Sequence, residues 1–435
     1  MRILYACHQF FPDHYTGTER YTLALARQMQ LLGHQVTVFT YDTREHADAR
    51  PVGDTGVSAR AYTTHGVSVL ALRHDDHDDA GFGGVSSRIG DPRMERALDR
   101  LLRERRFDLL HCTHTMRQTP IVEVARRRGI PVVQHLTDFW LLCPRGTLLD
   151  ASGELCDGPN GGRACAQRCF EPALEPALAR RTGEARRLLA QPDLIVAPSR
   201  FLAGVFLAHG VDPDRVVHRT YAFDVSPLGE RPPRDPDAPL RVAFLGTVLP
   251  HKGVEVLVRA VRAIPDAPLR LDVHGGSFDQ TVYLARLRAL ALGDSRIRFR
   301  GPYELERIGP ILDDVDVVVV PSLWYENNPL VVGIAHAAGV PCVVTDLGGM
   351  TELVRPEIDG LAFPRGDVDA LADILGRLAG DRDLVEALAR EVRPPPRIEA
   401  DAFELARIYA RLVRREPVLV PASQLVRSSP RSANV

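Results

Sequence analysis

The amino-acid sequence predicts an α/β protein made of two doubly wound, Rossmann-like domains, each with a parallel sheet covered by helices. Three observations support this prediction. Strand-like and helix-like segments alternate along the 435 residues, the pattern of parallel sheets with crossover helices. The chain is long enough to bury two hydrophobic cores. A stretch rich in proline and charge, residues 226–239, interrupts the alternation and is typical of a linker.

The first half begins with an apolar strand at residues 3–7 and a helix at 18–32, which ends at Gly33 because glycine favours a helix C-terminus. Two polar segments, 42–60 and 74–84, predict surface loops. Alternation and apolar runs predict the remaining strands of this half: 35–40, 67–72, 109–112, 132–135 and 194–197.

The second half repeats the alternation. Its predicted strands are 241–246, 269–274, 297–300, 315–320 and 341–345. Its predicted helices are 254–263, 281–292 and 329–338, followed by a last helix at 399–414. The domain prediction is therefore a first domain over 1–225, a linker over 226–238, a second domain over 239–398, a helix over 399–415 and a disordered tail over 416–435.

Composition excludes several classes of function. The formal net charge of −2 gives no electrostatic basis for binding nucleic acid. The apolar start ends before His8, which is too short for a signal-peptide core, and no apolar run has the length needed to cross a bilayer. We therefore expect a cytoplasmic protein.

One basic residue stands out from the rest. Of the 54 lysines and arginines, Lys252 is the single lysine. It follows a predicted strand that ends at Gly246, and Lys252-Gly253 begins a predicted helix. This order places an ammonium and helix-start amides at the carboxyl edge of the sheet, where open α/β sheets bind ligands. The alternative is a lysine that is simply solvated.

A second passage repeats this arrangement. The strand at 315–320 leads to a loop that contains Glu326, after which Asn327 or Asn328 can cap a helix and Pro329 suits its first position. The amides of Leu330 and Val331 would then face an anion with the help of the helix dipole. The alternative is an ordinary capped surface helix.

Together these passages resemble the retaining enzymes of glycosyltransferase family 4, which have the GT-B fold of two Rossmann-like domains facing each other across a cleft. The resemblance covers most of the chain. In the second half it is carried by residues 244–253, 321–330, 337–341 and 346–349, and in the first half by 17–21, 33–38, 107–111, 138–145 and 197–200.

The resemblance implies a donor site for a sugar nucleotide. It implies that Lys252 binds the donor diphosphate, that Glu326 contacts donor-sugar hydroxyls, and that Gly17 lets the backbone approach the phosphates. Transfer would proceed with retention and without a divalent metal or other cofactor, the last helix would pack back on the first domain, and the first domain would bind the acceptor. The predicted donor-binding set is Gly17, Gly246, Thr247, Lys252, Glu326, Asn327, Asn328, Pro329, Leu330, Val331 and Ile334.

Three positions depart from the family pattern. Ile334 stands where the family has a second Glu that holds the ribose, and Thr247 stands where an Arg usually contacts phosphate. The His-Asp pair before Phe139 reads Thr137-Asp138. Because the loss of one charged hydrogen bond costs about 1.5–3 kcal/mol, each of the first two changes would weaken donor binding about ten- to a hundredfold. We still expect activity, because Lys252 and Glu326 are present.

Histidines and cysteines supply further candidates. His111, His135, Thr137 and Asp138 are predicted to bind the acceptor, and His114 is a further candidate near a strand end, with structural roles for the histidines as the alternative. A cysteine-containing insertion spans about residues 143–170. Its thiolates could hold a structural zinc ion, although no Cys-x-x-Cys pair is present, and free thiols are the alternative. The four candidate ligands are Cys143, Cys156, Cys165 and Cys169.

Other charged patterns have simpler interpretations. Asp314 and Asp316 border a buried strand, and residues 74–79 form an acidic run that is more typical of a solvated loop than of a metal site. Arginine-rich segments at 103–106, 126–128 and 180–187 could contact a membrane, but solvated helix faces are favoured.

The sequence therefore predicts a retaining, metal-independent glycosyltransferase that moves a sugar from a nucleoside-diphosphate sugar to a natural product, a small metabolite or a surface-glycan precursor. One alternative is a catalytically silent homologue that binds sugar nucleotides. Another is a sugar phosphorylase with the same fold. The sequence does not specify the sugar, the base or the oligomeric state.

Overall fold

The computed structural model describes residues 1–41, 50–51, 57–73, 89–229, 231, 238–277, 280–304 and 307–418. These residues form two compact units. The first comprises Met1–Thr220 and the chain from Ile398 onward, and the second comprises Tyr221–Arg397. Each unit contains one sheet whose strands are mostly or entirely parallel, which confirms the predicted α/β class. The predicted loop at 74–84 and the predicted tail from residue 419 onward lie outside the described residues.

The first unit contains a sheet in the order β3-β4-β5-β2-β1-β6-β7-β8-β9. Its central strand β1 is buried from Ile3 to Cys7, since helices cover both faces of a parallel sheet. The elements of this unit are β1 (Arg2–Cys7), α1 (Gly17–Leu31), β2 (Gln35–Tyr41), β3 (Arg50–Pro51), β4 (Ser58–Thr64), β5 (Val67–Arg73), α2 (Pro92–Glu104), β6 (Leu109–Cys112), α3 (Pro120–Arg127), β7 (Val132–His135), α4 (Arg163–Arg168), α5 (Glu175–Leu189), β8 (Leu194–Ala197), α6 (Arg200–Ala208) and β9 (Val216–His218).

The prediction that residues 42–60 form a loop is wrong in part. β3 and the start of β4 fall in this segment, and β4 pairs antiparallel with β5 from Ser58 to Arg73. The hairpin turn is His65-Gly66, and both residues have positive φ, at 47° and 78°. A two-residue turn of this kind matches the twist of the paired strands. The hairpin extends the parallel sheet by an antiparallel edge.

The last helix, α14 (Ile398–Val413), belongs to the first unit and packs on α1. Tyr409 is fully buried, and its hydroxyl lies 3.3 Å from the hydroxyl of Tyr5. Asp401 accepts the Tyr21 hydroxyl at 3.2 Å and forms an ion pair with Arg219. These buried polar contacts join α14 to the body of the unit.

The second unit has the strand order β12-β11-β10-β13-β14-β15, and all its strands are parallel. The chain leaves β10 toward one side of the sheet and later returns to its other side as β13. Ligands of open α/β sheets bind at such a switch point. The elements are β10 (Leu240–Leu245), α7 (Val254–Ala263), β11 (Leu269–His274), α8 (Thr281–Leu290), β12 (Ile297–Gly301), α9 (Ile308–Asp313), β13 (Val317–Val320), α10 (Leu330–Ala337), β14 (Cys342–Thr345), α11 (Met350–Leu353), β15 (Gly360–Phe363), α12 (Val368–Gly380) and α13 (Arg382–Glu391).

Aspartates near the start of β13 are structural. Asp316 is fully buried and forms ion pairs with Arg241 at 2.8 Å and Arg382 at 3.0 Å. Asp314 pairs with Arg241 and Arg270. Arginine partners thus neutralise both carboxylates. In the described part of the chain, no helix is long and apolar enough to cross a membrane.

Candidate functional site

Two loops of the second unit meet at the carboxyl ends of β10 and β13. One contains the 3-10 turn Pro250–Lys252 followed by Gly253, and the other begins at Pro321. Gly253 has a φ of +72°, and a Cβ atom built on it would lie 1.8 Å from the Pro321 carbonyl oxygen. The Leu323 amide donates to the His251 carbonyl at 2.8 Å. Direct backbone contact therefore holds the loops together, and only glycine fits at position 253.

The place where these two loops meet is called the corner below. Lys252 and Glu326 lie at its centre. The Lys252 Nζ donates to Glu326 Oε1 at 2.7 Å. The Ser322 hydroxyl and the Trp324 indole N–H donate to the same oxygen, each at 2.8 Å. The Lys252 ammonium also lies 4.7 Å from the centroid of the Trp324 ring, within range of a cation–π contact. Glu326 is 4% exposed, so its carboxylate is a buried charge with matched donors.

The electrostatics keep this pair ionised and its neighbour neutral. Burial alone would raise the pKa of Glu326, but the Lys252 ammonium and the hydrogen bonds to the carboxylate outweigh it, so that pKa lies below its usual value. Burial and the nearby Lys252 lower the pKa of His251 to about 4. At neutral pH the corner therefore carries one ammonium, one carboxylate and a neutral imidazole.

The amino end of α10 follows the second loop. The prediction that Asn327 or Asn328 occupies the N-cap position is wrong, because Pro329 occupies it. The physical reason is local, because the Asn327 side-chain oxygen accepts the Asn328 amide at 2.6 Å. Leu330 and Val331 are the first two helical residues, whose amides have no partner within the helix.

A third loop, which contains Gly348 and Gly349, contacts the backbone at Glu326. The Gly349 amide donates to the Glu326 carbonyl oxygen at 2.7 Å. Gly348 has a φ of +66°, and a Cβ on it would lie 2.7 Å from the same oxygen.

The supporting residues Ser322, Trp324 and His251 were not among the predicted site residues. For Ser322 and Trp324, the sequence offered one signal: they lie four and two positions before Glu326.

The remaining predicted donor residues lie at several places. Gly246 directly follows β10 and has a φ of +144°, and Thr247 after it is half-buried. Ile334 is half-buried in α10, one turn after Leu330. Gly17 belongs to the first unit, where it is exposed and begins α1.

Two of the predicted acceptor residues lie in the interior of the first unit. His111 is fully buried and bonded to the Tyr409 hydroxyl at 2.5 Å, and His135 is 1% exposed and stacked on His111. Burial lowers the pKa of both histidines, that of His135 to about 3 with a further contribution from Arg219. These placements favour the structural interpretation, and we leave both residues out of the acceptor site proposed below.

The pKa of His135 predicts acid sensitivity of the first unit. A folded pKa of about 3 lies below the ordinary 6.5, so the unfolded chain binds the additional proton as the pH falls through this window. We expect the free energy of unfolding to decrease from pH 6.5 toward pH 4, and His135→Gln to make this decrease shallower. Urea unfolding across this range measures both slopes, and equal slopes would contradict the assignment.

The other two predicted acceptor residues are near the surface. Thr137 donates its hydroxyl to the Thr113 carbonyl oxygen at 3.1 Å. The Asp138 side chain is 31% exposed, and its two oxygens accept the Trp140 amide and a ring nitrogen of His114, each at 2.9 Å. Asp138 is thus an oriented carboxylate at the carboxyl end of β7.

The structure does not place the four insertion cysteines at the spacing of a zinc site. Among the described residues, only Cys7, His8 and Glu19 bring three candidate ligand atoms within 4.8 Å of one another. Cys156 Sγ instead accepts the Gly158 amide at 3.5 Å, and Cys165 packs in a small apolar cluster. Burial raises the pKa of Cys165 to about 12, and the neighbouring Cys143, Cys169 and Cys156 contribute to this rise. The structural zinc ion in the insertion stays a prediction.

Arginines of the first unit mostly have protein partners. Arg126, Arg127 and Arg128 form ion pairs with three carboxylates of neighbouring elements, and Arg181 is buried against Trp140. Because these arginines are paired within the protein, we favour ordinary helix-surface roles for them over a role in docking on a membrane. The acidic run at 74–79 lies outside the described residues.

Comparison with known proteins finds a family model for each of the two units. Residues 16–220 match the family model of the glycosyl transferase 4-like domain, and residues 239–381 match that of glycosyl transferases group 1. A D-inositol 3-phosphate glycosyltransferase of Xylanimonas cellulosilytica is 33% identical over 187 residues, which cover 42% of this chain and 44% of the relative. The match thus spans about half the length of either protein.

Solved structures extend the similarity of fold to nearly the whole chain. Sucrose-phosphate synthase of Thermosynechococcus elongatus aligns with a TM-score of 0.71 at 19% identity, over 95% of this chain and 100% of that chain. Anabaena HepE in complex with UDP-glucose aligns with a TM-score of 0.65 at 17% identity, over 95% and 99%. The fold is therefore GT-B, and with two family models that together span both units, the chain belongs to the group 1 glycosyltransferases of family 4.

Proposed function

We propose that this protein transfers a sugar from a nucleoside-diphosphate sugar to an acceptor hydroxyl, with retention of configuration and without a divalent metal, in the cytoplasm. The observation that carries the proposal is the Lys252–Glu326 pair in the loops that follow β10 and β13, at the switch point of the second sheet, with Glu326 four residues before α10 begins. A cation, helix-start amides and an oriented carboxylate are the groups that a diphosphate and a sugar require.

The donor would divide its contacts among these groups. The diphosphate accepts hydrogen bonds from Lys252 and from the amides of Leu330 and Val331, which stabilise the negative charge that grows on the leaving group. Glu326 has three donors on Oε1, so its orientation is set before the donor arrives. Glu326 would accept hydrogen bonds from hydroxyls of the transferred sugar. Because the leaving group is already a good one, positioning and charge stabilisation suffice for transfer.

The first unit would supply the acceptor site. Asp138 is a partly exposed carboxylate that two donors orient, and it lies at the carboxyl edge where α/β sheets bind ligands. Such a group accepts a hydrogen bond from a hydroxyl. The similarity to D-inositol 3-phosphate glycosyltransferases supports polyol phosphates as one class of acceptor to test, alongside glycan precursors and small natural products.

A two-stage experiment tests the proposal. A thermal-shift panel of nucleotides and sugar nucleotides identifies the donor, since a specific ligand raises the melting temperature by mass action. Release of nucleoside diphosphate from that donor is then measured with water alone and with added acceptors, beginning with D-inositol 3-phosphate. We expect a stabilising donor and slow hydrolysis that an acceptor accelerates. Stabilisation without any turnover would indicate the silent homologue, and dependence on inorganic phosphate would indicate a phosphorylase.

Transfer is expected to be independent of divalent cations, because the proposed site stabilises the diphosphate with Lys252 and helix-start amides. Dialysis against EDTA should leave the rate of donor turnover within about twofold of the untreated protein. A rate that is lost with EDTA and returns on addition of magnesium or manganese would contradict the proposed site. Zinc should likewise give no activation.

Isoleucine at position 334 predicts that the protein discriminates only weakly between ribose and 2′-deoxyribose donors. A side chain at this position leans toward the amino end of α10, so a glutamate there would reach a ribose bound over that end, whereas isoleucine accepts no hydrogen bond. We expect Ile334→Glu to tighten nucleotide binding by ~1–2 kcal/mol, the scale of a charge-assisted hydrogen bond less some desolvation. Isothermal titration calorimetry with UDP and 2′-deoxy-UDP measures the effect, with Ile334→Gln as the uncharged control. Weaker binding by a folded Ile334→Glu protein would show that the pocket has a different shape.

A further inference from the structure

We propose that His114 is a positioning residue that orients Asp138 for the acceptor, in place of the imidazole that the resembled family carries beside this Asp. The inference rests on the proposed function, because it concerns the acceptor side of the same reaction. The family's histidine position is Thr137 in this chain. The structure brings a histidine to the same carboxylate from the end of a neighbouring strand, β6.

Both oxygens of Asp138 have defined donors. His114 Nε2 lies 2.9 Å from Oδ2, and the Trp140 amide donates to Oδ1 at 2.9 Å. Two donors from different elements fix both the position and the rotation of a carboxylate. Because the side chain is still 31% exposed, its remaining lone pairs can accept a hydrogen bond from a substrate.

The hydrogen-bond network also fixes the tautomer of His114. The Met116 amide donates to His114 Nδ1 at 3.2 Å, so this nitrogen is the acceptor of the ring. The single proton of the neutral imidazole is therefore on Nε2, and it is donated to Asp138. The Gln118 side-chain amide donates to the His114 carbonyl oxygen at 2.8 Å, which holds the backbone at this turn. With both ring nitrogens engaged, His114 orients the carboxylate and does not itself take up the acceptor proton.

Packing holds the ring in place. His114 is 5% exposed, and the His8 ring lies at a centroid distance of 4.0 Å. Burial and the neighbouring imidazole and Arg117 keep the pKa of His8 well below its usual value, so His8 is uncharged at neutral pH and does not repel its neighbour. Behind His8, the buried Glu19 carboxylate lies 4.0 Å from His8 Nδ1. The buried Trp140 ring lies at a centroid distance of 6.1 Å from the His114 ring.

Thr137 does not perform this function. Its hydroxyl donates to the Thr113 carbonyl oxygen at 3.1 Å, so it ties the start of this loop to the neighbouring strand end. A threonine side chain is also too short to hold a proton donor where an imidazole would. The chain lacks the family's histidine at 137, and His114 provides an imidazole N–H to Asp138.

The kinetic test uses the full chain with UDP-glucose as the donor probe and water as the acceptor. We expect His114→Ala to lower kcat for UDP release at least tenfold, with the KM for UDP-glucose and the calorimetric affinity for UDP unchanged. His114→Gln, which retains an N–H near the ε position, should recover most of the rate. Thr137→His in the His114→Ala background should also recover activity, because it restores the imidazole from the family position.

A double-variant comparison separates positioning from an independent role. If His114 acts through Asp138, the His114→Ala/Asp138→Asn protein should be no slower than Asp138→Asn alone, since the two changes remove one function. Multiplied losses in the double variant, or a normal rate for His114→Ala, would overturn the proposal. A rate loss accompanied by weaker UDP binding would assign His114 a merely structural role.

A substrate-independent measurement keeps the inference testable if UDP-glucose is not a donor. Selective ¹⁵N-histidine labelling, with the His114→Gln protein used for assignment, reports the tautomer. We expect His114 to carry its proton on Nε2 near neutral pH and to shift on Asp138→Asn. A proton on Nδ1, or no response to Asp138→Asn, would overturn the proposal. Failure of every sugar nucleotide to bind would instead contradict the proposed function and leave this result standing.

Discussion

Lys252→Ala should lower kcat/KM for donor turnover by ~10²–10³-fold, the loss seen when an oriented donor is removed from a developing negative charge. Lys252 is the single lysine of the chain, and its ammonium is held by Glu326 in the loop that leads into α10. Thr247, where the resembled family usually has an arginine, brings no second cation. The diphosphate would then rely on helix-start amides alone. Steady-state release of nucleoside diphosphate measures the effect.

The same substitution should also destabilise the second unit. Glu326 is 4% exposed, and without the ammonium its carboxylate keeps only the two neutral donors Ser322 and Trp324. Leaving a buried charge under-compensated costs about 1–3 kcal/mol. The control is Lys252→Ala/Glu326→Gln, which removes both charges and should regain most of the stability without regaining turnover. Near-normal turnover by a folded Lys252→Ala protein would contradict the donor-site assignment.

Gly253→Ala should be among the most destabilising single substitutions in the second unit. The added Cβ would lie 1.8 Å from the Pro321 carbonyl oxygen, a backbone atom that cannot rotate away, and the φ of +72° disfavours any L side chain. We expect a loss of at least ~3 kcal/mol, which corresponds to a melting temperature lower by roughly 6–12 °C for a unit of this size. Separation of the two loops should abolish donor binding as well. Calorimetric melting and UDP titration measure the two effects.

Gly376→Ala is the matched control for this substitution. Gly376 lies inside α12, and a Cβ built on it meets nothing within 4 Å. Alanine is a better helix former, so this change should raise stability by about 0.5–1 kcal/mol and leave turnover unchanged. Equal melting temperatures for the Gly253→Ala and Gly376→Ala proteins would show that the loop contact at Pro321 does not determine the stability of the corner.

Regular elements of the fold were predictable because their signals are local. Strands 132–135 and 194–197 and helix 254–263 were predicted with the bounds that the structure has, since apolar runs and period-3.6 faces report burial directly. The hairpin of β4 and β5 was missed because its turn, His65-Gly66, is a weaker signal than Asn-Gly or Asp-Gly.

The site was predictable as a location and not as a set of contacts. Parallel strand order places the loops of Lys252 and Glu326 at one edge, so their proximity followed from topology. The hydrogen bond between them depends on the left-handed conformation of Gly253 and on Ser322 and Trp324, which no periodicity reports.

On the acceptor side, the sequence did not separate histidines of the core from histidines near the surface. A histidine near a strand end is equally suited to catalysis and to the core, and His111 became a buried partner of Tyr409, some 298 residues later in the chain. The imidazole that contacts Asp138 is that of His114, a candidate that the sequence could not separate from His111 and His135. Long-range pairing of this kind has no local signature. Likewise, the spacing of the cysteines gave no indication that Cys165 packs as an apolar residue.

The measurement that most directly tests the account is isothermal titration of UDP-glucose, ADP-glucose and GDP-mannose into the wild-type protein and into Lys252→Ala/Glu326→Gln, with folding of both checked by melting. The account predicts that at least one sugar nucleotide binds the wild-type protein, and that the folded double variant binds it at least tenfold more weakly, because the ammonium and the carboxylate are both removed. Equal affinity in the two proteins would contradict the claim that the Lys252–Glu326 corner is the donor site.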